Sequence, residues 1–96
     1  MEVLVTYDVM TDTPAGRRRL RRVAQACEGF GQRVQKSVFE CSLSPADLER
    51  LKRKLLAIIE EKEDNLRFYR LQEPREKYLQ AFGRAPSYDI HHPLVV

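Results

Sequence analysis

Hydrophobic and polar positions alternate over the opening stretch, Glu2-Val3-Leu4-Val5-Thr6-Tyr7-Asp8-Val9, which holds β-branched and aromatic residues and neither Gly nor Pro. That pattern predicts a strand. Val3, Val5 and Tyr7 fall on one face, Leu4, Thr6 and Asp8 on the other. Neither face is strongly polar before Asp8, so both are expected to be covered, one of them by helices. Thr13-Pro14 then supplies an N-cap and a proline for the first helical position. Leu20, Val23, Ala24 and Cys27 recur at i, i+3, i+4, i+7, which predicts a helix ended by Gly29 and Gly31. Residues 32–43 carry Val34, Val38, Phe39, Cys41 and Leu43 and read as two short strands or one bent hairpin. With no Asn-Gly or Asp-Gly pair, the turn geometry stays open. Ser44-Pro45-Ala46-Asp47 starts a second helix with a cap, a proline and an acid at the positive end. Leu48, Leu51, Leu55, Ile58, Ile59 and Lys62 keep its spacing, and Glu60, Glu61, Glu63 and Asp64 close it as solvated surface. Residues 66–71 form a further strand candidate, and Pro74 to Phe82 a short helix stopped by Gly83. The apolar end Leu94-Val95-Val96 would be a liability if exposed. It is expected to add a strand to a sheet edge, on this subunit or a partner.

The predicted order is β-α-β-β-α-β plus a C-terminal strand. This is the α+β class, a ferredoxin-like split βαβ arrangement with an antiparallel sheet and two helices on one face. All of residues 1–96 are expected in one domain. The bare sheet face at Leu4 and Thr6 calls for a second subunit, and a chain this short, which buries only about two-thirds of its unfolded surface, gains from one. No apolar run approaches the roughly 20 residues that cross a bilayer. The chain also opens on a strand without the regions of a signal peptide. A cytoplasmic protein with no membrane association is expected. Cys27 and Cys41 lie within apolar patterns, outside metal-ligand spacing, and are expected to be reduced core thiols.

Charge changes the picture. The net charge is +3, but it is unevenly placed. Residues 1–13 carry Glu2, Asp8 and Asp12 and no base. Residues 14–36 carry Arg17, Arg18, Arg19, Arg21, Arg22, Arg33 and Lys36 against Glu28 alone. Residues 37–96 are balanced, with ten bases and ten acids. The arginines from Arg17 to Arg22 lie off the apolar stripe, repel one another and have few neighbouring acids. They read as a phosphate-binding face, the alternative being a solvated helix surface. Asp8 closes its strand. A carboxylate there can ligate a cation, act as a base, or hydrogen-bond loop amides in a structural role, and the residues alone leave these open. His91 and His92 are adjacent, with only Asp89 nearby, so neither a zinc site nor a Ser/His/Asp set is supported. A ferredoxin-like ligand sensor would not need five clustered arginines. An RNA-recognition motif would carry a Gly-aromatic pattern where Gln35-Lys36-Ser37-Val38-Phe39 stands.

Several stretches together resemble the CRISPR-associated Cas two family. They are Val5-Thr6-Tyr7-Asp8-Val9, Gly16-Arg17-Arg18-Arg19-Leu20, the run from Gly31-Gln32-Arg33-Val34-Gln35-Lys36 to Ser37-Val38-Phe39-Glu40-Cys41, and Asp64-Asn65-Leu66-Arg67-Phe68-Tyr69-Arg70-Leu71. Tyr88-Asp89-Ile90 and Pro93-Leu94-Val95-Val96 fit the family's tail. The resemblance implies a homodimer whose C-terminal strand crosses to the partner. It implies work in CRISPR adaptation, in which the dimer bridges the Cas one integrase and holds DNA. It further implies a metal-dependent endonuclease acting on double-stranded DNA or single-stranded RNA, with Asp8 as catalytic magnesium ligand and manganese as a substitute. The alternative is a DNA-holding scaffold without enzymatic activity, in which Asp8 is structural. Magnesium is commonly held by one or two carboxylates with water and phosphate, so two Asp8 side chains across a twofold axis would make a fuller site than one. No general base stands beside Asp8 in the sequence.

Overall fold

The computed structural model describes residues 1–84. Strand β1 spans Glu2–Asp8, helix α1 Pro14–Glu28, β2 Gly31–Gln35, β3 Val38–Ser42, helix α2 Pro45–Ile58, β4 Asn65–Arg70 and the short helix α3 Arg75–Tyr78. The strands form one antiparallel sheet in the order β2-β3-β1-β4, so β1 has a neighbour on each side. This is the expected α+β, ferredoxin-like topology. The expected C-terminal strand and the His91-His92 pair lie outside the described residues.

Period-two alternation in β1 places Val3, Val5 and Tyr7 in the core, and Leu4 and Thr6 stay half-buried on the other face. The core joins these to Val23, Ala26 and Cys27 of α1, Phe39 and Cys41 of β3, and Leu51 and Leu55 of α2. Phe39, Leu51 and Leu55 are fully buried; truncating a leucine in such a place costs about 2–5 kcal/mol.

Both helix starts follow from their caps. Thr13 accepts the Gly16 N–H and Ser44 accepts the Asp47 N–H, each with proline just inside the helix. Two boundaries differ from the sequence pattern. Helix α2 stops at Ile58, because Ile59 is already extended, at φ −72° and ψ 159°; Lys62 and the acidic cluster therefore lie beyond it. Helix α3 covers four residues, not the whole stretch to Phe82. Gly31 does not end α1; it opens β2, where a β-carbon would stand 2.3 Å from Cys41 Sγ and 2.5 Å from the Glu40 carbonyl oxygen. Only a bare α-carbon lets β2 pair with β3 at that point.

Candidate nucleic-acid and metal site

Asp8 is the last residue of β1 and is exposed. Its ladder partner across the sheet is Asn65 of β4. It shares with Leu4 and Thr6 the sheet face away from α1 and α2, while Val9, the next residue, turns back into the core. Carboxylate oxygens suit magnesium, a hard cation that keeps several waters. Among the described residues no group of three or more His, Cys, Asp or Glu gathers, so no cage of protein ligands surrounds Asp8 there. That donor set fits an ion held by a single carboxylate together with water and phosphate.

The basic residues separate into two kinds. Arg18, Arg21 and Arg22 are exposed on α1 and make no ion pair among the described residues. Arg17 is also exposed, and its Nη1 donates to the Thr11 carbonyl at 3.0 Å, which ties the start of α1 to the loop after β1. Lys36 is exposed at the β2–β3 turn, where its carbonyl accepts the Tyr7 hydroxyl at 3.2 Å. These five can meet a polyanion.

Arg19 and Arg33 are engaged elsewhere. Arg19 Nε donates to Asp64 Oδ2 at 2.8 Å and Nη2 to Glu63 Oε2 at 3.1 Å. The expectation that this arginine run lacks compensating acids fails for Arg19, because its acids arrive from 44 and 45 residues along the chain. The acidic cluster is likewise not simply solvated: the Asp64 side chain is 0 % exposed. Its carboxylate also accepts the Met10 N–H at 3.0 Å and the Glu60 N–H at 2.8 Å. Burial pushes the Asp64 carboxyl up, but Arg19 and the two amides outweigh it and leave it below the usual carboxylate range. Arg33 lies 5.1 Å above the Phe39 ring centroid and 4.0 Å from Glu28 Oε1, with its Nε buried and without a hydrogen-bond partner among the described residues. Beside it, burial pushes the Tyr7 phenol up, and the Arg33 charge opposes this. Sequence reasoning missed Asp64 because its partners are distant in the chain. The one local signal was Asn65-Leu66, which marks where β4 begins.

The family model described as CRISPR associated protein Cas2 matches residues 1–78. The chain belongs to the Cas2 family. It is 57 % identical over 96 residues to the CRISPR-associated endoribonuclease Cas2 1 of Moorella thermoacetica, covering all of both chains. It is 46 % identical over 95 residues to the CRISPR-associated endonuclease Cas2 of Halalkalibacterium halodurans, covering 99 % of each. The crystal structure of Streptococcus pyogenes Cas2 at pH 6.5 matches with a TM-score of 0.77 and 54 % identity, over 86 % of this chain and all of that one. In this Cas2-family chain no helix of the described residues is long and apolar enough to cross a membrane.

Proposed function

We propose that this protein is a cytoplasmic, homodimeric Cas2 that grips nucleic acid and cleaves phosphodiester bonds with a divalent metal, and that it bridges the Cas one integrase during spacer acquisition. The observation that carries this reading is the exposed Asp8 at the end of a central strand, on a domain whose α1 presents Arg17, Arg18, Arg21 and Arg22 outward. The relatives' names, endoribonuclease and endonuclease, support the reaction class and leave DNA duplex and single-stranded RNA both in play. In the proposed dimer the sheet faces away from α1 and α2 meet, the Leu94-Val95-Val96 tail pairs with the partner, and two Asp8 carboxylates approach across the twofold axis.

The arginines neutralise phosphate and hold the backbone. Asp8 would hold Mg2+, or Mn2+ in its place. The metal would supply Lewis-acid stabilisation of the phosphodiester and activation of a water. Asp12, in the loop, is not part of that contact. A second reading, a DNA-holding scaffold that does not cut, draws on the lack, among the described residues, of any group of three or more ligating side chains. Cleavage of duplex DNA and single-stranded RNA, measured with Mg2+, Mn2+ and EDTA, separates the two. The parent should cut only with metal, and Asp8→Asn should lose at least 100-fold while keeping its circular dichroism and nucleic-acid affinity; Asp12→Asn should be milder. Equal cutting by the parent and Asp8→Asn would remove Asp8 from the chemistry, and a parent that never cuts would leave the scaffold.

A further inference from the structure

The ladder between β1 and β4 ends at the pair Asp8–Asn65. Two residues beyond Asp8, the Met10 N–H is taken by a side chain: Asp64 Oδ1, at 3.0 Å. Asp64 adjoins Asn65, so one short segment both pairs with Asp8 and holds the chain that follows it. The same carboxylate accepts from Glu60 N–H at 2.8 Å, Arg19 Nε at 2.8 Å and Arg19 Nη2 at 3.3 Å. A buried charge is tolerated only when paired and hydrogen-bonded, and this one is. The carbonyl of Met10 is closely approached from the other side. A β-carbon on Gly16 would stand 1.9 Å from the Met10 oxygen, so the first turn of α1 packs directly on that carbonyl. The Met10 N–H is thus hydrogen-bonded and its carbonyl lies against Gly16, two unrelated constraints on one residue.

We propose that Asp64 is a positioning residue for Asp8: with Arg19 and Gly16 it immobilises the backbone at Met10, and this sets the direction in which Asp8 presents its oxygens to a cation. The inference rests on the reading of Asp8 as a metal ligand. It gives Arg19 the task of holding Asp64, apart from the phosphate-binding arginines.

The test uses Mn2+ alone, titrated into the full chain and followed by electron paramagnetic resonance. Outer-shell partners of ligands are typically worth 10–100-fold in metal affinity. Asp64→Asn, which leaves donors facing an amide nitrogen, should weaken Mn2+ binding about tenfold on that scale. Gly16→Ala presses on Met10 from the other side without changing charge, and should weaken it in the same direction. Leu51→Val, a core change on α2 that touches none of the hydrogen bonds at Met10, should lower the melting temperature and leave Mn2+ affinity unaltered. The salt slope of duplex binding should be the parent's in Asp64→Asn. Parent-like Mn2+ affinity in Asp64→Asn and Gly16→Ala, beside a loss in Asp8→Asn, overturns the positioning role and spares the metal site. Parent-like affinity in Asp8→Asn overturns the metal reading itself, and the positioning role with it. An equal loss in Leu51→Val shows a general effect of stability and also overturns the proposal. Should Asp64→Asn and Gly16→Ala not fold, Arg19→Lys, which keeps the charge and loses the planar fork, carries the same test with a several-fold loss expected.

Discussion

Burial pushes the Cys27 thiol up to about 12, with Cys41 adding to the effect, and the Cys41 thiol up to about 11, with Glu2 adding. The thiolate is the nucleophile, so neither cysteine should react with iodoacetamide at pH 7.5 until the chain unfolds. The same shifts make the protein alkali-sensitive. A thiol whose folded value is raised contributes stability in full below its unfolded value, near 9. That contribution is lost as pH rises through about 11 and 12. The urea midpoint should therefore fall above pH 9, and fall less steeply in Cys27→Ala; a parallel decline in the two proteins would contradict this. The sequence showed these thiols as core residues because each sits in a periodic apolar pattern. It did not show what Arg19 and Arg33 do. Local spacing places both with the basic cluster; long-range packing brings Asp64 to Arg19, and the register of the β2–β3 hairpin sets Arg33 opposite Phe39.

Helix α1 carries two functions on one cylinder. Val23, Ala26 and Cys27 are buried inward, Arg19 reaches the α2–β4 turn, and Arg18, Arg21 and Arg22 face outward. Binding through phosphate contacts makes log K fall with log salt by about 0.9 per duplex phosphate neutralised. Changing Arg18 and Arg22 together to Ala should weaken duplex binding and flatten that slope, without altering sequence preference, since phosphate contacts carry no base information. Arg19→Ala should leave the slope unchanged. If the Arg18/Arg22 double variant keeps the parent's slope with native circular dichroism, the outward face is only solvated. Elements were legible in the sequence where a local device starts them: Thr13-Pro14 and Ser44-Pro45 marked both helix starts. Their ends were less so. Periodicity alone carried α2 on to Lys62, but the chain straightens at Ile59 and Asp64 folds the following turn around itself.

For the whole molecule, α1 and α2 on one face leave the sheet's other face to Leu4, Thr6 and the 44 % exposed Tyr69, with Arg75 of the short α3 reaching Glu40 at 3.1 Å on that side. The proposed dimer predicts a light-scattering mass of twice the 11.2 kDa chain at micromolar concentration, and weaker association when residues 93–96 are deleted. A monomeric mass for the intact chain would refute it. The element order and patterning made this topology legible in advance, with Asp8 at the end of its strand on the Leu4–Thr6 face; its partner Asn65 came only with the register. Strand β1 has partners along both edges, β3 and β4, and its alternate side chains fill the core. Amide hydrogens in such a strand exchange with solvent only through the rarest openings, those of the whole domain, whereas a loop past the ladder opens on its own. Asp8 stands where one regime gives way to the other. The ladder with β3 ends at Thr6 and only β4 still pairs with Asp8, so its carboxylate stands on the last rung of the slow-exchanging region, with Asp64 and the close approach of Gly16 the ties on the loop side.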